Sequence, residues 1–203
     1  SVRKNAIRLS EPYLANGFSA LTEKLHYLKN DPDPFVRKQL AYSLGESTHK
    51  ETSAIIADLM TLSSNDKYTQ SAILSSAVNH HAGIAIHLDD RITHLSEYLL
   101  SGIIKTSIGA GSKDEIAQLL AVLAKSNSLI PSQKSIQLKS LALALVELDK
   151  RGHSLRGLGT NTDLSSVNSL IAAAKSNAMS FDAPTKERIA GIGFFGLDPQ
   201  NQS

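Results

Sequence analysis

The sequence predicts an all-α protein, an α-solenoid of antiparallel helix pairs with about ten helices. Apolar side chains recur at three- and four-residue spacing through most of the 203 residues, and no useful stretch alternates as a strand does. Aromatic residues make up only 5% of the chain, so aliphatic side chains must fill the core, as they commonly do between helices. A sequence period of about 33 residues, typical of stacked helix pairs, supports the same class.

The repetition is clearest near the start of the chain. Val2-Arg3-Lys4 recurs about 34 positions later as Val36-Arg37-Lys38, and the stretch 33–43 aligns with 66–76. We therefore predict a single helical-repeat domain. Its predicted bounds are 1–199, with clear repeats in 1–77, a less regular helical part in 92–196 and a loose tail at 200–203.

The predicted helices follow one another with polar turns between them. They are Phe18 to Lys29, Phe35 to Leu44, Glu51 to Leu62, Lys67 to Ala77, Ile92 to Ile108, Ser112 to Lys125, Pro131 or Ser132 to Lys150, Asp163 to Ser176 and Pro184 to Phe194. The opening Val2-Arg3-Lys4 belongs to a further helix of the same pattern. His80 to Asp90 is expected to be an irregular connection or a short extra turn, and Leu155 to Thr162 a loop.

Helix end signals support several of these bounds. Asp33 is placed to cap a helix that has Pro34 at its first position. Ser112 and Glu115 have the spacing of a capping box. Lys150-Arg151-Gly152 puts cations in a last turn and glycine after it, which favours a stop there.

Composition excludes several classes of chemistry. The chain has no cysteine, which excludes disulfides, thiol nucleophiles, Cys-ligated zinc and covalent C-x-x-C-H haem. The net charge is +2 with basic residues scattered along the sequence, so we expect no nucleic-acid partner. No apolar run approaches the length of a membrane span. Because the chain starts at Ser1 within a helical pattern, we expect a fragment of a longer protein.

A histidine-rich stretch is the one candidate for metal chemistry. Imidazole and carboxylate are common zinc ligands, and the residues concerned are His80, His81, His87, Asp89, Asp90 and His94. They lack the H-E-x-x-H spacing, so we interpret them as ordinary loop and surface residues, with adventitious metal binding as the alternative. No phosphate loop or serine nucleophile motif is present, and we predict no catalytic residue and no cofactor in this chain.

Basic side chains recur on the second helices of the repeats. Arg3, Lys4, Arg8 and Lys38 form a possible partner surface for an acidic protein, together with Arg37. The alternative is a solvated helix face in which Arg37 serves the junction between repeats.

The turn Asp31-Pro32-Asp33-Pro34-Phe35-Val36-Arg37 resembles that of HEAT repeats. In those repeats an Asp six residues before an Arg links successive units through side-chain hydrogen bonds, and Asp31 and Arg37 occupy these places as a repeat-junction pair. The next unit has Ser64 and Gln70 there, so the resemblance predicts an interrupted ladder.

A wider likeness extends over most of the chain. The stretch 31–46, Ala72 to Ala77, Ile108-Gly109-Ala110-Gly111 and Leu148 to Leu155 resemble the helical region of planctomycete and verrucomicrobial proteins described as membrane-bound dehydrogenases or haem-binding C-x-x-C-H proteins. The resemblance implies an exported, periplasmic setting and a place between a dehydrogenase-like propeller and a c-type cytochrome domain. None of that family's redox residues has a counterpart here, since the haem motif requires cysteine.

We accordingly expect a noncatalytic helical-repeat scaffold that holds domains apart and offers a docking surface, with the parent protein free to be a sugar dehydrogenase-like oxidoreductase. An independent HEAT-type adaptor that binds a protein partner is the alternative. A metal-dependent hydrolase based on the histidines is a distant third.

Overall fold

A computed structural model describes residues 2–63, 65–125, 131–158 and 162–197. Every regular element within these residues is helical, which confirms the predicted all-α class. The α-helices there are α1 Val2–Leu9, α2 Glu11–Leu14, α3 Ser19–Tyr27, α4 Pro34–Leu44, α5 Thr52–Leu62, α6 Lys67–Ala77, α7 His81–Leu88, α8 Glu97–Ala110, α9 Lys113–Ala124, α10 Pro131–Lys150, α11 Ser165–Met179 and α12 Thr185–Ile192. Short 3₁₀ segments occur at Leu28–Asn30, Asp89–His94 and Arg156–Leu158.

The predicted helix caps are present. Asp33 precedes α4 and its carboxylate accepts a hydrogen bond from the amide of Phe35 at 2.9 Å. Ser112 and Glu115 form the capping box of α9, in which the Glu115 carboxylate accepts from the Ser112 amide at 2.7 Å. At the end of α10, Gly152 takes the left-handed conformation with φ +69°. These contacts confirm the local signals on which the bounds of α4, α9 and α10 were predicted.

The segment His80 to Asp90, predicted as an irregular connection or a short extra turn, is not irregular, because the eight-residue helix α7 fills most of it. The helix buries Ile84 and Leu88, which are one turn apart, against α5. Its Gly83 allows the close approach, since a Cβ there would lie 2.3 Å from the Ser53 hydroxyl oxygen of α5. Packing against α5 therefore stabilises a segment too short and too uniformly apolar to show helical periodicity.

Several predicted bounds also shift. The helix predicted to start at Ile92 begins at Glu97, where the amide of Leu99 donates to the Ser96 hydroxyl at 3.2 Å. The residues before it form the 3₁₀ segment Asp89–His94. The helix predicted from Asp163 to Ser176 is Ser165–Met179, because Asp163 accepts from the amide of Ser165 at 2.8 Å. The predicted loop 155–162 contains a 3₁₀ turn; its residues 159–161 and the predicted tail 200–203 lie outside the described residues.

Contacts divide the chain into two compact units. The first comprises Ser1–Leu88 and His94–Thr106, and the second Asp89–Thr93 and Ser107–Ser203. The predicted single domain over 1–199 stays a prediction.

In the first unit, α1 packs on α4 and α4 packs on α6. The Leu74 side chain of α6 lies against Gly102, where a Cβ would come within 2.5 Å of it, so α8 adjoins α6. Behind these helices, α5 contacts α4, α6 and α7. The core between them is formed by fully buried aliphatic side chains such as Leu40, Ile55 and Ile73.

In the second unit, α9 contacts α10 and α11, while α12 contacts α10 and α11. The approach of α12 to α11 is close, because a Cβ on Gly191 would lie 2.3 Å from the main-chain oxygen of Ala174. Leu120, Leu141 and Phe194 are fully buried. No helix among the described residues is both long and apolar enough to cross a bilayer.

Candidate partner-binding surface

Four helices of the first unit lie side by side and form what we call the basic row: α1, α4, α6 and residues 97–106 of α8. Successive helices of the row are also joined by polar contacts. The Ser76 hydroxyl of α6 donates to the main-chain oxygen of Ala41 on α4, and the Ser71 hydroxyl lies 3.4 Å from the phenol oxygen of Tyr98 on α8. The row is thus a continuous surface within one compact unit.

The charge of the row is strongly one-sided. Its ionisable side chains are Arg3, Lys4, Arg8, Arg37, Lys38, Lys67, Lys105 and a single carboxylate, Glu97. Helices α3, α5 and α7, which lie outside the row, carry one lysine, Lys24, against Glu23 and Asp58. Seven of the 21 Lys and Arg residues thus lie on the four neighbouring helices of the row, against one carboxylate.

An aromatic line crosses the row. Phe35, Tyr68 and Tyr98 are each the second residue of their helix and are 61%, 66% and 52% exposed. Exposed aromatic rings of this size, in matching positions on three neighbouring helices, are typical of contact surfaces. The basic side chains Lys38 and Lys105 lie one and two turns further along their helices.

Lys38 connects two rings of the aromatic line. Its ammonium lies 5.4 Å from the ring centroid of Phe35 and 5.9 Å from that of Tyr68. The ammonium of Lys67 is 5.2 Å from the same Tyr68 ring. Each cation–π contact at an exposed position contributes about 0.5–1 kcal/mol. These contacts hold the rings and charges of α4 and α6 in one arrangement.

The predicted junction pair Asp31 and Arg37 is in contact, but the carboxylate of Asp31 binds another residue. Arg37 donates to the main-chain oxygen of Asp31 at 2.6 Å. Arg3 of α1 donates to the Asp31 carboxylate through Nε at 2.6 Å and through Nη2 at 3.1 Å. In the next sequence repeat, Gln70 occupies the position of Arg37 and donates to the main-chain oxygen of Ser63 at 2.9 Å. Arg3 and Arg37 are thus engaged at the junction.

The carboxylates at the edge of the row are held by hydrogen bonds. The hydrogen bond from Arg3 lowers the pKa of Asp31. Asp66 caps α6, and the hydroxyl of Thr69 donates to it at 2.6 Å and lowers its pKa. Asp33 caps α4 in the same way. The lowered pKa values keep Asp31 and Asp66 ionised, and the hydrogen bonds of all three carboxylates are directed to the protein itself.

The other members of the predicted partner surface also lie on the row. Arg8 is exposed near the end of α1, and Lys4 is partly exposed one turn before it. Arg3, the third member on α1, is engaged by Asp31 as described. Five residues of the row were not predicted as part of a partner surface: Phe35, Lys67, Tyr68, Tyr98 and Lys105. The last two do not follow the sequence period, because α8 begins about 30 residues after α6 instead of 33.

The four histidines proposed as weak metal candidates occupy different surroundings. His80 is partly buried, with Nε2 3.1 Å from the main-chain oxygen of Leu44, and burial lowers its pKa. His81 has a buried Nδ1 with no hydrogen-bond partner, whereas His87 and His94 are exposed. Among the residues that the structure describes, no three His, Asp or Glu side chains are grouped so that they could hold a metal ion.

The second unit contains one buried polar cluster. Glu187 of α12 is 5% exposed, and its carboxylate accepts from Lys134 at 2.9 Å and from Asn177 at 3.1 Å. Next to it, the guanidinium of Arg188 lies 5.4 Å from the ring of Phe181. These bonds link α10, α11 and α12, so the cluster is accounted for by packing of the unit.

Comparisons with protein-family models, with curated proteins and with solved structures found no match for this chain. The basic row must therefore be interpreted from its own geometry.

Proposed function

We propose that this chain is a noncatalytic helical-repeat segment, a solenoid of HEAT type, that binds a protein partner through the basic row. The observation that carries the proposal is the concentration of basic side chains on α1, α4, α6 and α8. A surface of one charge sign attracts and orients a partner of the other sign. The exposed aromatic line adds rings that can be buried on binding.

The solenoid arrangement is supported by repeat-related helices that are neighbours. α4 and α6 are about 33 residues apart in sequence and pack directly on each other, with α5 behind both. In such arrays each repeat contacts its neighbours and presents one helix of the pair on a continuous surface.

The resemblance described above adds a narrower proposal. The segment would be the spacer between a dehydrogenase-like propeller and a c-type cytochrome domain of an exported protein, and the partner of the basic row would be one of these domains. A longer reading frame with both domains would support this proposal, whereas a short free-standing frame would favour an independent adaptor. The distant third possibility, a metal-dependent hydrolase, has no specific observation in its favour.

Site-directed photo-crosslinking in the native host tests the proposed function. A crosslinking amino acid replaces Tyr42, which is 46% exposed on α4, or Tyr27, which is 78% exposed on α3. We expect a defined protein adduct from position 42, lost in Lys38→Glu and retained in Lys24→Glu. The adduct partner, purified, should bind the unmodified chain in calorimetry. Equal adducts at both positions, or adducts insensitive to Lys38→Glu, would contradict the proposal.

A further inference from the structure

We propose that the partner is an extended acidic segment, with an apolar residue at about every third position, that runs across the basic row from α1 towards α8. This inference rests on the proposed function and specifies the chemistry of the ligand. Its basis is the juxtaposition of an exposed aromatic line with cationic side chains on the same four helices.

The spacing of the aromatic line fits an extended chain. Phe35, Tyr68 and Tyr98 occupy equivalent positions on neighbouring helices, so the distance between them follows that between helices, about 8–10 Å. An extended chain in the polyproline II conformation advances about 3.1 Å per residue and has three residues per turn, so every third side chain lies on the same face, about 9 Å further on. One apolar side chain in three can therefore meet successive rings. Crossing all four helices requires roughly ten residues.

The charges favour carboxylates in the remaining positions of the ligand. The Lys38 ammonium contacts the rings of Phe35 and Tyr68, and Arg8 and Lys105 are exposed. The carboxylates nearest to the aromatic line are the caps Asp33 and Asp66 and the first-turn residue Glu97. They lie at the helix starts. The ligand's acidic side chains would thus be directed away from that edge, towards the later turns, where Lys38 and Lys105 lie.

A basic surface with exposed rings is also a known chemistry for single-stranded nucleic acid, whose bases stack on aromatic side chains. The helix spacing argues for the peptide. Stacked bases are closer together than neighbouring helices, about 3.4 Å against 8–10 Å, so bases on successive rings would have to be widely separated. Nucleic acid binding is therefore an outcome that the test must distinguish.

The test uses the purified chain and fluorescence polarisation with labelled peptides of about ten residues. A repeating Glu-Glu-Leu peptide should bind, and its affinity should fall as salt increases. Glu-Glu-Ser should bind more weakly and Lys-Lys-Leu should not bind. The double variant Lys38→Glu/Lys105→Glu should weaken the Glu-Glu-Leu complex roughly tenfold or more. Lys24→Glu, a single charge reversal on α3, should leave it within about twofold of wild type.

The aromatic line is tested separately. Phe35→Ala/Tyr68→Ala should weaken binding of Glu-Glu-Leu and change that of Glu-Glu-Ser little, whereas Tyr27→Ala on α3 should affect neither. Circular dichroism and the unfolding midpoint check that each variant is folded. Equally weakened binding of both peptides would show that the rings do not contact the apolar side chains of the ligand, which overturns that part of the inference.

Two results would overturn the whole inference: no Glu-Glu-Leu binding that depends on Lys38, or tighter binding of an oligo-dT strand than of the peptide. Its failure is distinguishable from failure of the proposed function. If position 42 crosslinks a protein in a Lys38-dependent manner while the acidic peptide does not bind, the function stands and the extended acidic ligand is wrong. If position 42 gives no Lys38-dependent adduct and the acidic peptide does not bind, both the proposed function and the inference are wrong.

Discussion

Replacing Gly191 with alanine tests whether the close approach of α11 and α12 is a structural requirement. Gly191 is buried near the end of α12. A Cβ at this position would lie 2.3 Å from the main-chain oxygen of Ala174 and 3.0 Å from the Cβ of Ala178, both on α11. A main-chain oxygen within a helix has no rotamer by which it could move aside. The two helices would have to separate to admit the methyl group.

Two opposing effects set the magnitude. Alanine is favoured over glycine within a helix by at most about 1 kcal/mol, since it restricts the unfolded chain. Overpacking at a tight contact costs about 1–3 kcal/mol, and more where the backbone must shift. Because the contacts at 2.3 and 3.0 Å involve a main-chain oxygen and a short side chain, the steric cost exceeds the propensity gain. We expect a net destabilisation of about 1–2 kcal/mol, which lowers the melting temperature by about 2–8 °C in a chain of this size.

Thermal and urea unfolding followed by circular dichroism measure this effect. Gly109→Ala is the matched control, because the Cβ at that position would meet only the guanidinium Nη2 of Arg151 at 2.8 Å. That atom is the far end of a flexible side chain and can move. We expect Gly109→Ala to be neutral or to raise the stability by up to about 1 kcal/mol. If Gly191→Ala melted at or above the wild-type temperature, the close helix contact would not be what selects glycine there.

Three further predictions concern caps and pH. Ser112→Ala removes the hydroxyl of the α9 capping box and should cost about 1 kcal/mol in urea unfolding; an unchanged midpoint would contradict the role of the box. The lowered pKa of Asp66, held down chiefly by the Thr69 hydroxyl, contributes stability that is present above its ordinary pKa of 3.8 and is lost as pH falls through the lower folded value. Asp66→Asn should therefore reduce the acid-induced loss of stability, and an identical pH profile would refute the argument. Burial lowers the pKa of His80 from 6.5, so the stability that the neutral imidazole contributes is present above pH 6.5 and is lost as pH falls through the lower folded pKa. His80→Gln should therefore flatten the profile of stability against pH between about pH 7 and 5. Retention of the wild-type slope in this variant would refute the assignment.

Helices whose ends are defined by their own capping residues were predicted well from the local sequence. Asp33 before Pro34, Ser112 with Glu115, and Gly152 each act within a few residues of the end that they define. The backbone donors at a helix start need partners wherever the helix lies in the fold, so these signals are independent of tertiary context. The bounds of α4 and α9 could accordingly be predicted to within about one or two residues, the usual uncertainty of a helix end.

The helix α7 could not be predicted in the same way. Its eight residues include a glycine and two histidines, and its apolar side chains are distributed around much of its circumference. Such a segment is a marginal helix in isolation. Its stability comes from Ile84 and Leu88, which are buried against α5, and from the small residue Gly83 facing Ser53. That information lies about thirty residues away in the sequence, where no local window detects it.

The candidate surface was predictable in part, and the missing part has a definite cause. The match of Arg3-Lys4 with Arg37-Lys38 identified basic positions on α1 and α4, whereas the exposed rings of Phe35 and Tyr68 were not predicted as part of the surface. Tyr98 was missed because the connection through α7 and the 3₁₀ segment shortens the period before α8. The pairing of Arg3 with Asp31, rather than Arg37 with that carboxylate, depends on how α1 packs on α4, which spacing alone does not define.

The same geometry changes what the charge pattern implies about partners. Scattered basic residues in the sequence argued against a nucleic-acid partner, since such binders concentrate charge on one face. In a helical repeat, however, residues about 33 positions apart become neighbours, so scatter along the chain is the expected sequence pattern of a concentrated surface. Spacing, rather than composition, therefore speaks against nucleic acid. Rings separated by the distance between neighbouring helices match every third residue of an extended peptide better than they match adjacent bases. Lys38 lies between Phe35 and Tyr68, so charge reversal there should alter the electrostatic and aromatic contributions together. Alanine replacement of the two rings alters only the aromatic contribution, so the difference between these variants measures the electrostatic contribution to binding.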